Sequence, residues 1–92
     1  MIRWTVELRP VARRELRLLD DGPKRDAAAL IADLTEDPMQ VAASEMRHYQ
    51  NTWKARFYHD QYRIIYRIAR AQRRIVVIRI RPRGTAYEGM KG

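Results

Sequence analysis

The side chains of this chain that could do chemistry are mostly cations, and they crowd into its second half. Of 92 residues, 19 are Lys or Arg and 11 are Asp or Glu. Residues 47–92 hold twelve of those cations against Asp60 and Glu88 alone, a net of +10, while residues 1–46 net −2. Lys54, Arg56, Arg63, Arg67, Arg79, Arg81 and Arg83 recur through the basic half, with Tyr87 close behind. A planar guanidinium bridges two phosphate oxygens, and a tyrosine stacks on an unpaired base. One-sided charge of this density favours a polyanionic partner, since a merely solvated surface interleaves both signs. Single-stranded RNA fits such a set, and an acidic peptide fits it equally.

The same composition argues against metal chemistry. There is no cysteine, His48 and His59 do not stand at a ligand spacing, and two acids in the basic half make no carboxylate cluster. No metal and no cofactor is expected. His59, beside Asp60 in a predicted turn, admits a role as a stand-in acid or base, with a solvated turn residue the plainer reading. The N-terminus carries Arg3, Glu7 and Arg9 and has no apolar stretch suited to a signal peptide. No run approaches the roughly 20 apolar residues that cross a bilayer. The expectation is a soluble, cytoplasmic chain with no membrane partner, forming one domain over residues 1–92.

These cations need a scaffold, and the hydrophobic pattern supplies one. Residues 2–8 alternate apolar and polar at period two, as a half-buried strand does. Pro10 suits the first turn of a helix running to about Asp20, with Val11, Ala12, Leu16 and Leu19 on its inner side. Asp21-Gly22-Pro23 is read as a break. A second helix is predicted from about Lys24 to Glu36, with Ala27, Leu30, Ile31 and Leu34 at the spacing of a buried stripe. Asp37-Pro38 ends it. Residues 38–48 predict a loop with one short strand near Met46. Thr52–Tyr58, Tyr62–Ala69 and Arg74–Arg81 then read as a three-stranded antiparallel meander. The fold class is α+β: an N-terminal strand joining the sheet from its edge, a helical hairpin packed on one sheet face, the meander, and a tail from Pro82 that forms a short turn or helix.

Alternation assigns the faces. Trp53, Ala55 and Phe57, then Tyr62, Ile64, Tyr66 and Ile68, then Val76, Ile78 and Ile80 are expected to meet the helices. The opposite face then carries Lys54, Arg56, Arg63, Arg67, Arg79 and Arg81, with Arg83 and Tyr87 beyond its rim. A slip of one residue inverts a whole strand, so register is the assumption that matters. Arg63 also admits a structural role, paired with Asp60 or Glu88.

Two stretches carry a family resemblance. Trp53-Lys54-Ala55-Arg56, followed by Tyr62-Arg63-Ile64-Ile65-Tyr66, is similar to the aromatic-Lys-x-Lys and Tyr-Arg-(apolar)2-Tyr segments of the RelE/ParE superfamily of bacterial toxins. Arg81 to Tyr87 resembles its closing Arg-x3-Tyr. The resemblance, which spans nearly the whole chain, implies the toxin of a type II toxin–antitoxin system, neutralised by a cognate acidic antitoxin. RelE-like members cut mRNA on the ribosome without metal, the RNA supplying its own 2′-hydroxyl. ParE-like members poison DNA gyrase and generally lack the full cationic set. The joint presence of Lys54, Arg56, Arg63, Arg83 and Tyr87 favours the ribonuclease branch.

On that resemblance, Lys54 helps activate the 2′-hydroxyl, Arg56 and Arg63 hold the phosphate, Arg83 sits near the leaving oxygen, and Tyr87 packs against a base. Arg67, Arg79 and Arg81 would contact RNA more widely. Arg56 stands where the RelE pattern has a second lysine, which keeps the charge and removes an alternative base. Arg81 and Arg83 both suit the tail arginine. The competing readings are a gyrase inhibitor on the same fold and a non-catalytic nucleic-acid-binding module, whose binding would weaken steeply with salt.

Overall fold

The computed structural model describes residues 3–90. The elements run β1 (Thr5–Leu8), α1 (Pro10–Leu18), α2 (Asp21–Glu36), a 3-10 turn at Pro38–Gln40, β2 (Ser44–Glu45), β3 (Thr52–Phe57), β4 (Tyr62–Ala69), β5 (Arg74–Pro82) and a second 3-10 turn at Arg83–Thr85. The five strands form one sheet in the order β1-β5-β4-β3-β2. The meander β3-β4-β5 is antiparallel, and β1 joins its edge parallel to β5. A parallel neighbour needs a long crossover, and the two helices are that crossover.

The helical hairpin forms as its pattern predicts, with two differences. Pro10 occupies the first turn of α1, where its missing N–H is no loss. Asp21-Gly22-Pro23 does not break the chain: it is the first turn of α2, which follows Asp20 at the N-cap position without a side-chain capping bond. A proline there still lacks only an amide that has no intrahelical acceptor. Val11, expected inside, is half-exposed, whereas Ala12 is fully buried. Ala12, Ala27 and Leu34 from the helices meet Ala55, Phe57, Ile64, Tyr66, Ile68, Ile75, Val77 and Ile80 from one sheet face. Burial of this apolar layer, at roughly 25 cal/mol per Å2, supplies the main stabilisation.

The fourth predicted strand departs from simple alternation, and the reason is a β-bulge. Ile65 pairs with Arg79, but Tyr66 pairs with Val77, so Ile78 is an extra residue on β5. The phase inverts across it. Before the bulge the core residues are Ile75 and Val77; after it, Ile80. The expectation that Val76 and Ile78 join Ile80 in the core is therefore corrected. Arg79 and Arg81 remain on the outer face, because only the earlier half of the strand is turned over.

β1 stops at Leu8, opposite Val77, so the later half of β5 has no strand on that side. Helix α1 covers it instead. The Ile80 amide donates to the Glu15 carboxylate at 2.9 Å, and Arg81 pairs with the other Glu15 oxygen at 3.3 Å. Among the described residues no helix is long and apolar enough to cross a membrane.

Candidate functional site

The outer face of the sheet is where the cations meet. In register, Lys54, Ile65 and Arg79 form one row across β3, β4 and β5, and Arg56, Arg63 and Arg81 form the next. Three arginines side by side repel unless counter-charges intervene. Asp60 and Glu15 with Glu88 provide them. Lys54, Arg56, Arg63 and Tyr87 line a single cleft of about 560 Å3, walled opposite by Ala42, Ala43 and Ser44. Ser44 of β2 pairs directly with Lys54, so the short edge strand builds that wall. The β2 region was the least legible part of the sequence, and its place in the cleft had no motif to announce it.

Asp60 sits at the tip of the β3–β4 hairpin and gathers arginines from three directions. Arg63 reaches its Oδ1 at 3.0 Å and also donates to the Asp60 and Tyr62 carbonyls at 2.9 and 3.1 Å. With 11% of its side chain exposed, Arg63 is locked in place. Arg56 approaches the same oxygen at 3.7 Å, and Arg83 approaches Oδ2 at 3.4 Å. Those two remain largely free to solvent, at 71% and 65% exposure. The turn holds Asp60 through an unusual backbone: Tyr58, His59 and Asp60 all have positive φ, at 52°, 56° and 66°. Non-glycine residues rarely enter this region, and three in succession concentrate strain at the hairpin tip. The Gln61 amide closes the turn on the Tyr58 carbonyl, and the Arg83 amide donates to the Gln61 carbonyl at 2.9 Å.

The tail is drawn back over the same face. Arg79 donates to the Ala86 carbonyl at 3.0 Å and to the Glu88 carbonyl, and Arg81 pairs with Glu88 at 3.8 Å. The Lys54 ammonium lies 5.3 Å from the centre of the Tyr87 ring, a cation–π distance. Ile65, between Lys54 and Arg79 in register, is fully buried although it faces away from the helices, and Ala86 is buried too. The folded tail accounts for that second apolar patch.

The predicted site residues thus separate into three groups. Lys54, Arg56, Arg63 and Tyr87 share the cleft. Arg83 stands outside its lining and is tied to it through Asp60. Arg79 and Arg81 are occupied by the tail and by Glu15, and Arg67 lies in a different hollow, with Arg70 and Arg74, toward the β4–β5 turn. Tyr66 is buried in the core, where burial pushes its hydroxyl up to about 12, and Tyr62 stacks on Phe57. No group of His, Cys, Asp and Glu suited to holding a metal occurs among the described residues.

Fold and cleft together define a class: a small α+β protein with a helical hairpin on one face of a five-stranded sheet and an arginine-rich, tail-covered cleft on the other. Residues 6–87 match the family described as the ParE toxin of a type II toxin–antitoxin system, parDE. Toxin RelG of Mycobacterium tuberculosis is 32% identical over 88 residues, covering 91% of this chain and 95% of its own. The RelBE2 toxin–antitoxin complex of the same organism is similar at 30% identity, TM-score 0.68, with 89% of this chain and 100% of the matched chain covered. The isolated Escherichia coli RelE toxin shares the fold at TM-score 0.75 and 18% identity, covering 86% and 83%. The chain belongs to the RelE/ParE superfamily and is a toxin of a type II toxin–antitoxin system.

Proposed function

We propose that this toxin is a ribosome-dependent, metal-independent endoribonuclease that cleaves mRNA in the cytoplasm and so stops translation. The observation that carries the reading is the convergence of Lys54, Arg56, Arg63 and Tyr87 on one cleft, with Arg83 linked to it through Asp60. In RNA self-cleavage a 2′-hydroxyl attacks the adjacent phosphorus and the 5′-oxygen leaves. A protein accelerates this by aligning the attack and stabilising charge on the phosphoryl oxygens. Arg56 and Arg63 stand as phosphate holders and Lys54 as the group nearest the attacking hydroxyl. Tyr87, beside Lys54 in the cleft, orients a base in this reading. Arginine is a very poor proton donor at neutral pH, so Arg83 acts through charge. The partner that restrains the toxin is a cognate antitoxin, as in the RelBE2 complex and in the archaeal RelE–RelB complex of Pyrococcus horikoshii.

The test is cell-free translation with mapping of mRNA 5′ ends. Cuts within translated codons that disappear in Lys54→Ala support the reading; intact transcripts refute it. A second reading, inhibition of DNA gyrase, is favoured by the ParE description of the matching family, by the counter-ions that already engage Arg63 and Arg81, and by the tail carbonyls that engage Arg79. It predicts intact transcripts and blocked supercoiling.

A further inference from the structure

We propose that Asp60 is a resident counter-anion of the cleft, occupying the place of a phosphate between Arg56 and Arg83 until a phosphodiester displaces it. The inference deepens the ribonuclease reading and rests on it for the identity of the ligand. Its physical ground is the unequal grip of the three arginines. Arg63 is nearly buried and is held by two backbone carbonyls as well as by the carboxylate, so it keeps its position whatever becomes of the Asp60 charge. Arg56 and Arg83 touch Asp60 only at 3.7 and 3.4 Å, and both are mostly exposed. Ion pairs of that kind, long and open to solvent, contribute little and exchange readily for a better acceptor. A phosphodiester offers guanidinium groups such an acceptor, with two free oxygens that suit the guanidinium fork.

The carboxylate is also in the right place to compete. Arg56 and Arg63 line the cleft, and Asp60 is bound to both while 45% of its side chain remains exposed. An incoming phosphate therefore meets a site that is already partly neutralised. It must draw Arg56 and Arg83 away from Asp60 while Arg63 stays. The left-handed backbone at Tyr58–Asp60 sets where the Asp60 side chain leaves the hairpin tip, and the anchored Arg63, at 3.0 Å, holds the carboxylate beside the cleft. The consequence is restraint: nucleic acid that offers only a passing phosphate competes poorly with Asp60, and RNA held in position by other contacts competes well.

The experiment uses the full chain and a short RNA with 2′-O-methyl groups, which cannot cleave itself. Asp60→Asn keeps a side-chain oxygen for Arg63 and removes the charge. Expected is binding of this RNA tightened by about fivefold or more at low salt, from the loss of two weak competing pairs. In the cleavage assay the same variant lowers KM. Unchanged or weaker binding overturns the proposal and makes Asp60 an ordinary brace for the hairpin. A second measurement needs no variant: on adding the RNA, the guanidinium NMR signals of Arg56 and Arg83 move, while the Arg63 N–H groups keep their slow exchange with solvent, as their anchoring requires. Arg56 and Arg83 signals that do not move, or loss of the Arg63 protection, refute it. If the RNA binds more tightly to Asp60→Asn but no transcript is cut, the ribonuclease reading fails and the counter-anion stands. If transcripts are cut and binding is unaffected by the substitution, the reverse holds.

Discussion

Gly22 lies against the ring of Tyr58 so closely that a β-carbon on it would come within 2.8 Å of the phenol oxygen and 2.9 Å of a ring carbon. The first turn of α2 thereby rests on the hairpin tip that carries Asp60. Gly22→Ala adds helix propensity but forces the ring aside, and overpacking of this kind costs about 1–3 kcal/mol. The denaturation midpoint should fall. In the background of Tyr58→Ala the glycine substitution should lose its penalty, which a double-mutant cycle measures directly.

Lys54→Ala should abolish toxicity without unfolding the protein, since its ammonium rests on Tyr87 at the surface cleft and takes no part in the core. Loss of a group acting in proton transfer lowers the rate by about 10²–10⁴-fold. The check is end-mapped cleavage in translation extracts, with thermal denaturation alongside to show a retained fold.

Glu15→Ala should act on stability. Its carboxylate accepts the Ile80 amide and pairs with Arg81. Ile80 is buried, so truncation leaves its amide without a partner, at a cost of about 1–3 kcal/mol. A lowered urea midpoint with an unchanged slope is the expected result. Glu15→Gln keeps an acceptor and should recover most of the loss.

Tyr66 sets a limit at high pH. Burial raises its hydroxyl to about 12 against an ordinary value of 10.0. The unfolded chain therefore releases this proton first. The stabilisation is fully present below pH 10 and is lost as the pH rises through about 12, at a slope near 1.4 kcal/mol per unit in that interval. Tyr66→Phe should remove this part of the alkaline decline, measured by denaturant midpoints across the range.

What the sequence disclosed follows from how local its signals are. The stripe Ala27, Leu30, Ile31, Leu34 and the alternation through Tyr62–Ala69 each depend on one element, and both helices and the meander form where those patterns lie. Alternation alone misassigns part of β5, because a bulge is a relation between two strands. Nothing in Ile75-Val76-Val77-Ile78 says which residue will be the extra one. The site had the same division. Cations on alternating positions announce a charged face, and Lys54, Arg56 and Arg63 do share a cleft. The capture of Arg79 and Arg81 by the tail and by Glu15 depends on long-range placement that charge counting does not contain.

The point where β1 gives out divides β5 mechanically. Its first half is clasped between two strands, whereas the half that bears Arg79 and Arg81 has a strand on one side and a single carboxylate on the other. Deuterium should therefore enter the amides of residues 79–81 well before those of 74–77. The stretch that carries Arg79 and Arg81 is thus fastened by side chains and the tail, where its root is fastened by backbone on both sides.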